Sequence, residues 1–136
     1  MDRLKNTYIK HWRKGRIIQK GCLKMTPEKK FETQVKAYLK EQSCWILKTW
    51  SNGIQRKGIP DLLVCCNGYF LGVELKADNG KASELQKWNI NHIRHAGGIA
   101  IILYPQQFKA FKAMVQQLKA GRYQAAVVSQ HVFDLK

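Results

Sequence analysis

The apolar positions of this chain change period several times, and each change marks an element. Phe31, Val35, Tyr38, Leu39 and Gln42 recur at helical spacing. Thr26-Pro27 ahead of them suits an N-cap and first helical residue, with the acid Glu28 in the first turn. The pattern predicts a helix packed on a sheet. Cys44 to Trp50 predicts a strand, followed by a turn at Ser51-Asn52-Gly53. Two apolar runs, Leu62–Cys66 and Tyr69–Ala77, then flank Asn67-Gly68, the dipeptide of a two-residue β-hairpin turn. These runs are apolar on both faces, so the sheet should be covered on two sides by helices. A further helix starts at Ser83, with Gln86 three residues later, and runs through Leu85, Trp88, His92, Ile93 and Ala96 to Gly97-Gly98. Ile99–Tyr104 is continuously apolar, as a central, fully covered strand would be, and Pro105 ends it. A last helix spans about Gln106 to Ala120, with Phe108, Phe111, Val115 and Leu118 on one face. The tail Arg122–Lys136 suits one short strand or an interface segment. Helix, strand, hairpin, helix, strand and helix in that order predict an α/β sandwich with a mixed central sheet.

The hairpin turn fixes a register. A two-residue loop at Asn67-Gly68 pairs Cys66 with Tyr69, Val64 with Leu71 and Leu62 with Val73, and leaves Asp61 opposite Glu74. Opposed residues share a face with Cβ atoms roughly 4.5–5.5 Å apart, and like charges so placed destabilise the pair. A divalent cation would explain two carboxylates there, because Mg²⁺ prefers oxygen ligands and is commonly held by one or two carboxylates. Lys76, two residues beyond Glu74, lies on the same face.

The pattern Pro60-Asp61 followed, after a hairpin, by Glu74-Leu75-Lys76 resembles the PD-(D/E)xK nuclease superfamily. Gly58-x-Pro60-Asp61, Glu74-x-Lys76-Ala77, Gly80 and Ser83-x-x-Gln86 are similar, more narrowly, to its VRR-NUC family, over about residues 28 to 104. The resemblance implies a three-layer α/β/α sandwich of restriction-endonuclease type. It also implies a metal-dependent endonuclease that hydrolyses phosphodiester bonds in DNA. Asp61, Glu74 and the Leu75 backbone carbonyl would then hold Mg²⁺ or Mn²⁺, and Lys76 would stabilise charge or help deprotonate the water. Glu32 on the first helix matches a Glu that joins the metal site in the family; an exposed Glu paired with Lys29 or Lys36 is the alternative. Gln86 carries two readings, a capping box with Ser83 and a side chain reaching into the site. Small stand-alone members of the family resemble Holliday-junction resolvases that act as homodimers. A flap, nicking or restriction-type nuclease and a non-catalytic nucleic-acid-binding protein are the alternatives, with a basic assembly protein behind them.

Charge sharpens the choice of partner. The 136 residues carry 24 Lys and Arg against 9 Asp and Glu, a formal net charge of +15. Such an excess suits a polyanion, and nucleic acid is favoured over a membrane because no amphipathic helix with a large apolar face stands out. Residues 1–25 form a basic arm of net charge +7, with Arg13, Lys14 and Arg16 as candidate phosphate contacts, ahead of one nuclease domain over 26–136. Within the arm, Leu4, Tyr8, His11 and Trp12 suggest a short helix up to about Gly15. Arg56 and Lys57, in the loop before Gly58, and Lys81, just past the hairpin, are further candidates. Between Gly58 and Gly80 the local charge is instead −2, which fits a retained metal site. Cys22, Cys44, Cys65 and Cys66 lack C-x-x-C spacing, so they are expected reduced and mostly in the core. No apolar run approaches the ~20 residues of a membrane span. The expected setting is the cytoplasm of a bacterium or a phage-infected host cell.

Overall fold

The computed structural model of the protein describes residues 24–50, 53 and 55–134. Arg13, Lys14 and Arg16, the helix expected up to Gly15, Cys22 and the Ser51-Asn52 part of the expected turn lie outside the described residues.

The first helix, α1 (Pro27–Glu41), begins where the sequence places its cap: the Thr26 hydroxyl accepts the Lys29 amide at 3.2 Å. Strands β1 (Trp45–Lys48), β2 (Leu62–Cys66) and β3 (Tyr69–Leu75) follow, then α2 (Glu84–His95) and β4 (Ile99–Leu103). A short 3-10 turn leads into α3 (Phe108–Lys119), and α4 (Tyr123–Ser129) runs into a second 3-10 turn, Gln130–Asp134. The sheet order is β1-β2-β3-β4, with β1-β2 and β2-β3 antiparallel and β3-β4 parallel. The hairpin register is the predicted one: Leu62 pairs with Val73, Val64 with Leu71 and Cys66 with Tyr69. Both turn residues take positive φ, Asn67 at 51° and Gly68 at 82°, as a two-residue hairpin turn requires.

Two layers of helix flank the sheet. On one face Leu62, Val64, Leu71, Val73, Ile99, Ile101 and Leu103 join Val35 and Leu39 of α1 and Phe111, Met114 and Leu118 of α3 in one core. Each such side chain contributes roughly 1.5–3 kcal/mol by leaving water. On the other face α2 lies over β3 and β4, where Gly72 leaves room for Ile93; a Cβ at residue 72 would stand 3.2 Å from Ile93 Cδ1. The fold is a three-layer α/β/α arrangement around a mixed sheet.

Four expectations are corrected. β4 is an edge strand, not a central one, because an apolar run reports burial of two faces and says nothing of lateral neighbours. At Ala100 its outer edge is met by side chains: Ala100 N–H donates to Gln130 Oε1 at 3.3 Å and Ala100 O accepts from Arg94 Nε at 2.8 Å. The tail is helical rather than a strand, and Ala126 and Phe133 complete the core. Helix α2 buries Asn89 and Ile90, while Leu85 and Trp88 stay 45% and 43% exposed. Coverage of the second sheet face is also partial. Trp45, Cys65 and Phe70, neighbours across β1, β2 and β3, are all exposed, so of the three described cysteines only Cys66 is buried. No helix among the described residues is long and apolar enough to cross a membrane.

Arg94 also ties the C-terminal turn to the sheet, through two bonds to Asp134 at 3.0 and 2.9 Å. Burial pushes the Asp134 carboxyl up, but Arg94 and then His131 outweigh it and hold the pKa below the usual carboxylate value. A depressed folded-state pKa gives stability that is present above the unfolded pKa and lost as pH falls through the folded one. Asp134→Asn is therefore expected to lower Tm at neutral pH and to flatten its dependence in the acid range below ~4, as measured by thermal melts across pH.

Candidate active site

The open end of the hairpin gathers the charged residues of the sheet. Pro60 is buried at the foot of β2, and Asp61 follows it just outside the ladder. The Asp61 carboxylate accepts the Leu75 amide through Oδ2 at 2.9 Å. A side chain thus takes the place of a backbone partner there. The other oxygen, Oδ1, lies 3.5 Å from Lys48 Nζ.

Glu74 is 2% exposed, and its oxygens differ. Oε1 accepts from Lys76 Nζ at 2.8 Å and from Gln86 Nε2 at 2.5 Å, whereas buried Oε2 has no hydrogen-bond partner among the described residues. Burial drives the Glu74 pKa up to about 7, with Lys76 pulling it down and Asp61 pushing it further up. Lys76 moves in the favourable sense: burial opposes its charge, but the bond to Glu74, and then the charges of Glu74 and Asp61, raise its pKa. Lys76 is therefore held as an ammonium in this arrangement.

Gln86 performs both of its candidate roles at once. Its Oε1 accepts the Ser83 amide at 2.8 Å and its own amide donates to Ser83 Oγ at 3.2 Å, a complete capping box, while its Nε2 holds Glu74. An amide side chain has both an acceptor and donors, so the readings were never exclusive.

Glu32 is buried rather than an exposed helix acid. It pairs with Lys29 at 3.3 Å, Lys36 at 3.6 Å and Lys48 at 3.2 Å. Burial raises its pKa, yet Lys48 and then Lys29 more than offset this and leave it below the ordinary value. Lys48 is the residue that sequence reasoning missed: one ammonium joins Glu32 to Asp61 and so ties α1 to the hairpin. Its signal was a lone cation in the apolar run Cys-Trp-Ile-Leu-Lys-Thr-Trp.

Among the described residues, Arg56, Lys57 and Lys81 form no ion pair with Asp61 or Glu74. Arg56 lies over the Trp88 ring at 5.2 Å, and exposed Lys57 lines a small cleft of about 270 Å³. Exposed Lys81 lines a different cleft, of about 830 Å³, between the start of α2, the end of β4 and the C-terminal turn.

Among the described residues no three His, Cys, Asp or Glu side chains lie close enough to cage a metal. Two adjacent carboxylates, one with a buried oxygen lacking a partner, nevertheless fit a hard cation that keeps part of its water shell.

No protein-family profile matches the chain, and neither does any curated protein. Solved structures do match. One described as "VRR_NUC domain" is 24% identical with a TM-score of 0.53, over 69% of this chain and 95% of its own. A second, "VRR_NUC domain protein", is 22% identical with a TM-score of 0.55, over 71% and 90%. The fold is that of the VRR-NUC domain. The overlap takes in nearly the whole of each neighbour, so the likeness is one of the whole fold and not of a fragment.

Gly58 joins the two halves of the candidate site within this fold. Its φ is +80°, and a Cβ there would lie 2.6 Å from Leu85 Cγ and 2.7 Å from Asn89 Nδ2. The loop that carries Asp61 can therefore press against the helix that carries Gln86 only if residue 58 has no side chain. Gly58→Ala is expected to destabilise the fold by about 1–3 kcal/mol in urea titrations.

Proposed function

We propose that this chain is a VRR-NUC nuclease of the PD-(D/E)xK type, a metal-dependent endonuclease that hydrolyses phosphodiester bonds in DNA. The observation that carries the reading is the Asp61, Glu74 and Lys76 cluster at the hairpin mouth, with Gln86 on Glu74 and one Glu74 oxygen left without a partner. Fold similarity alone would not assign chemistry. A fold match together with these residues at its open sheet end supports it.

Asp61 and Glu74 would hold Mg²⁺ or Mn²⁺, with the Leu75 backbone carbonyl as a third donor. Such an ion, when bound, supplies Lewis-acid activation of water and neutralises charge on the phosphate. The Lys76 ammonium then donates to a non-bridging phosphate oxygen, where negative charge grows during hydrolysis. Gln86 fixes the rotamer of Glu74, and Glu32 restrains Asp61 through Lys48. The net charge of +15, including the arm with Arg13, Lys14 and Arg16, supplies the non-specific attraction to DNA.

The favoured substrate is a four-way junction cut by a homodimer, because one site on so small a domain makes only one incision. A non-catalytic DNA-binding protein is the competing reading, since Lys76 already neutralises Glu74 in a closed ion pair. A labelled four-way junction, a flap and a linear duplex, each with Mg²⁺, Mn²⁺ or EDTA, separate these readings. Metal-dependent, symmetric junction cutting is expected, reduced about 10²–10³-fold or more by Asp61→Ala and by Lys76→Ala with binding retained. Binding without cutting under either metal would sink the nuclease reading. Preferential cutting of the flap or duplex would sink only the resolvase.

A further inference from the structure

Helix α2 exposes an indole that the core does not use. Trp88 is 43% exposed although its neighbours Asn89 and Ile90 are buried. His92, one turn further on, lies against it with ring centroids 3.7 Å apart, and the Arg56 guanidinium sits 5.2 Å from its centroid. This stack is joined to the candidate site through the loop before Asp61. Gly58 of that loop lies against Leu85 and Asn89, which share the helix face of Trp88, and Asp61 follows three residues later, at most about 10 Å along the chain. The loop that presents Arg56 runs directly into Asp61 and is pressed onto α2 at Gly58.

Beside the stack is the cleft of about 270 Å³, lined by Trp50, Gln55, Arg56, Lys57 and Gly58 among others. Among the described residues no acid lines it, and Trp50 is 64% exposed. The cleft is smaller than the ~300–1,000 Å³ pockets that enclose drug-sized ligands. Exposed aromatics flanked by cations, next to a phosphate-handling centre, form the combination that stacks unpaired bases while holding their phosphates. A base inside a duplex is already stacked on both sides and gains nothing from an indole.

We propose that Trp88, with Arg56 and the cleft beside it, takes an unpaired nucleobase within a few nucleotides of the scissile phosphate, so that the nuclease selects DNA with a displaced nucleotide over continuous duplex. This inference rests on the nuclease reading above and specifies its substrate. Base–aromatic stacking outweighs an exposed cation–π contact, so the base displaces Arg56 from the indole and frees the guanidinium for the adjoining phosphate. His92 keeps the indole in place.

Anisotropy titrations in EDTA test binding without cleavage, using labelled oligothymidine, a duplex with one bulged base and a fully paired duplex of equal length. Trp88→Ala is expected to weaken the first two by about tenfold and the paired duplex by less than about twofold, with Trp88→Phe restoring most of the loss. In a second readout, 2-aminopurine at the bulged position should be quenched by the wild-type protein and by Trp88→Phe. Equal losses on all three DNAs would mean that Trp88 merely anchors the loop, and would overturn the inference while leaving the nuclease reading intact. So would unquenched 2-aminopurine on the wild-type protein, a measurement that needs no variant to fold. Failure of the wild-type protein to bind any of the DNAs would overturn both.

Discussion

Two carboxylates at the open end of one hairpin are the constraint around which this molecule is arranged. Asp61 and Glu74 are driven together by a turn whose geometry admits one register, and their repulsion must be met by other groups. The fold divides the task. Asp61 turns one oxygen onto the Leu75 amide and the other toward Lys48, while Glu74 receives Lys76 and Gln86 on a single oxygen. Buried ion pairs seldom add net stability, because desolvation offsets much of their attraction. The site is thus maintained by the apolar core around it rather than contributing to that core.

Each flank of the site is fastened from a different layer. Lys48 and Glu32 connect it to α1, and Gly58 fixes the approach of the Asp61 loop to α2. The segment after β3 is tied by residues following β4: Tyr104 donates to the Gly80 carbonyl at 3.0 Å and Gln106 to Asp78 at 2.8 Å. At the opposite end of the hairpin, Asn67 Nδ2 donates to the Leu118 carbonyl at 3.0 Å and fastens the turn to α3. Glu74 and Gln86 of the candidate site are carried on regular elements, Asp61 and Lys76 stand at strand ends, and the whole is held by contacts made far along the chain, which favours preorganisation.

The charge pattern has the same logic. A strongly basic chain attracts a polyanion without choosing where it lands. The acidic pair gives that field a local minimum at the hairpin mouth, and Trp88 is exposed on the helix against which the Asp61 loop packs.

Local chemistry determined the elements, the hairpin register and the opposed carboxylates, because caps, turn dipeptides and strand period act over a few residues. Asn67-Gly68 alone placed Asp61 opposite Glu74, and Thr26 and Ser83 marked two helix starts. Tertiary structure decided what depends on distant neighbours. Apolarity cannot distinguish an edge strand from a central one, so only the packing of Gln130 and Arg94 against Ala100 revealed how β4 ends the sheet. The burial of Glu32, the bridging role of Lys48 and the joint duty of Gln86 each require groups from separate elements to meet. Trp88 looked like one more apolar position of a helix, and whether it faced the core or solvent was set by how α2 rests on β3 and β4, a rotation that its own sequence leaves open.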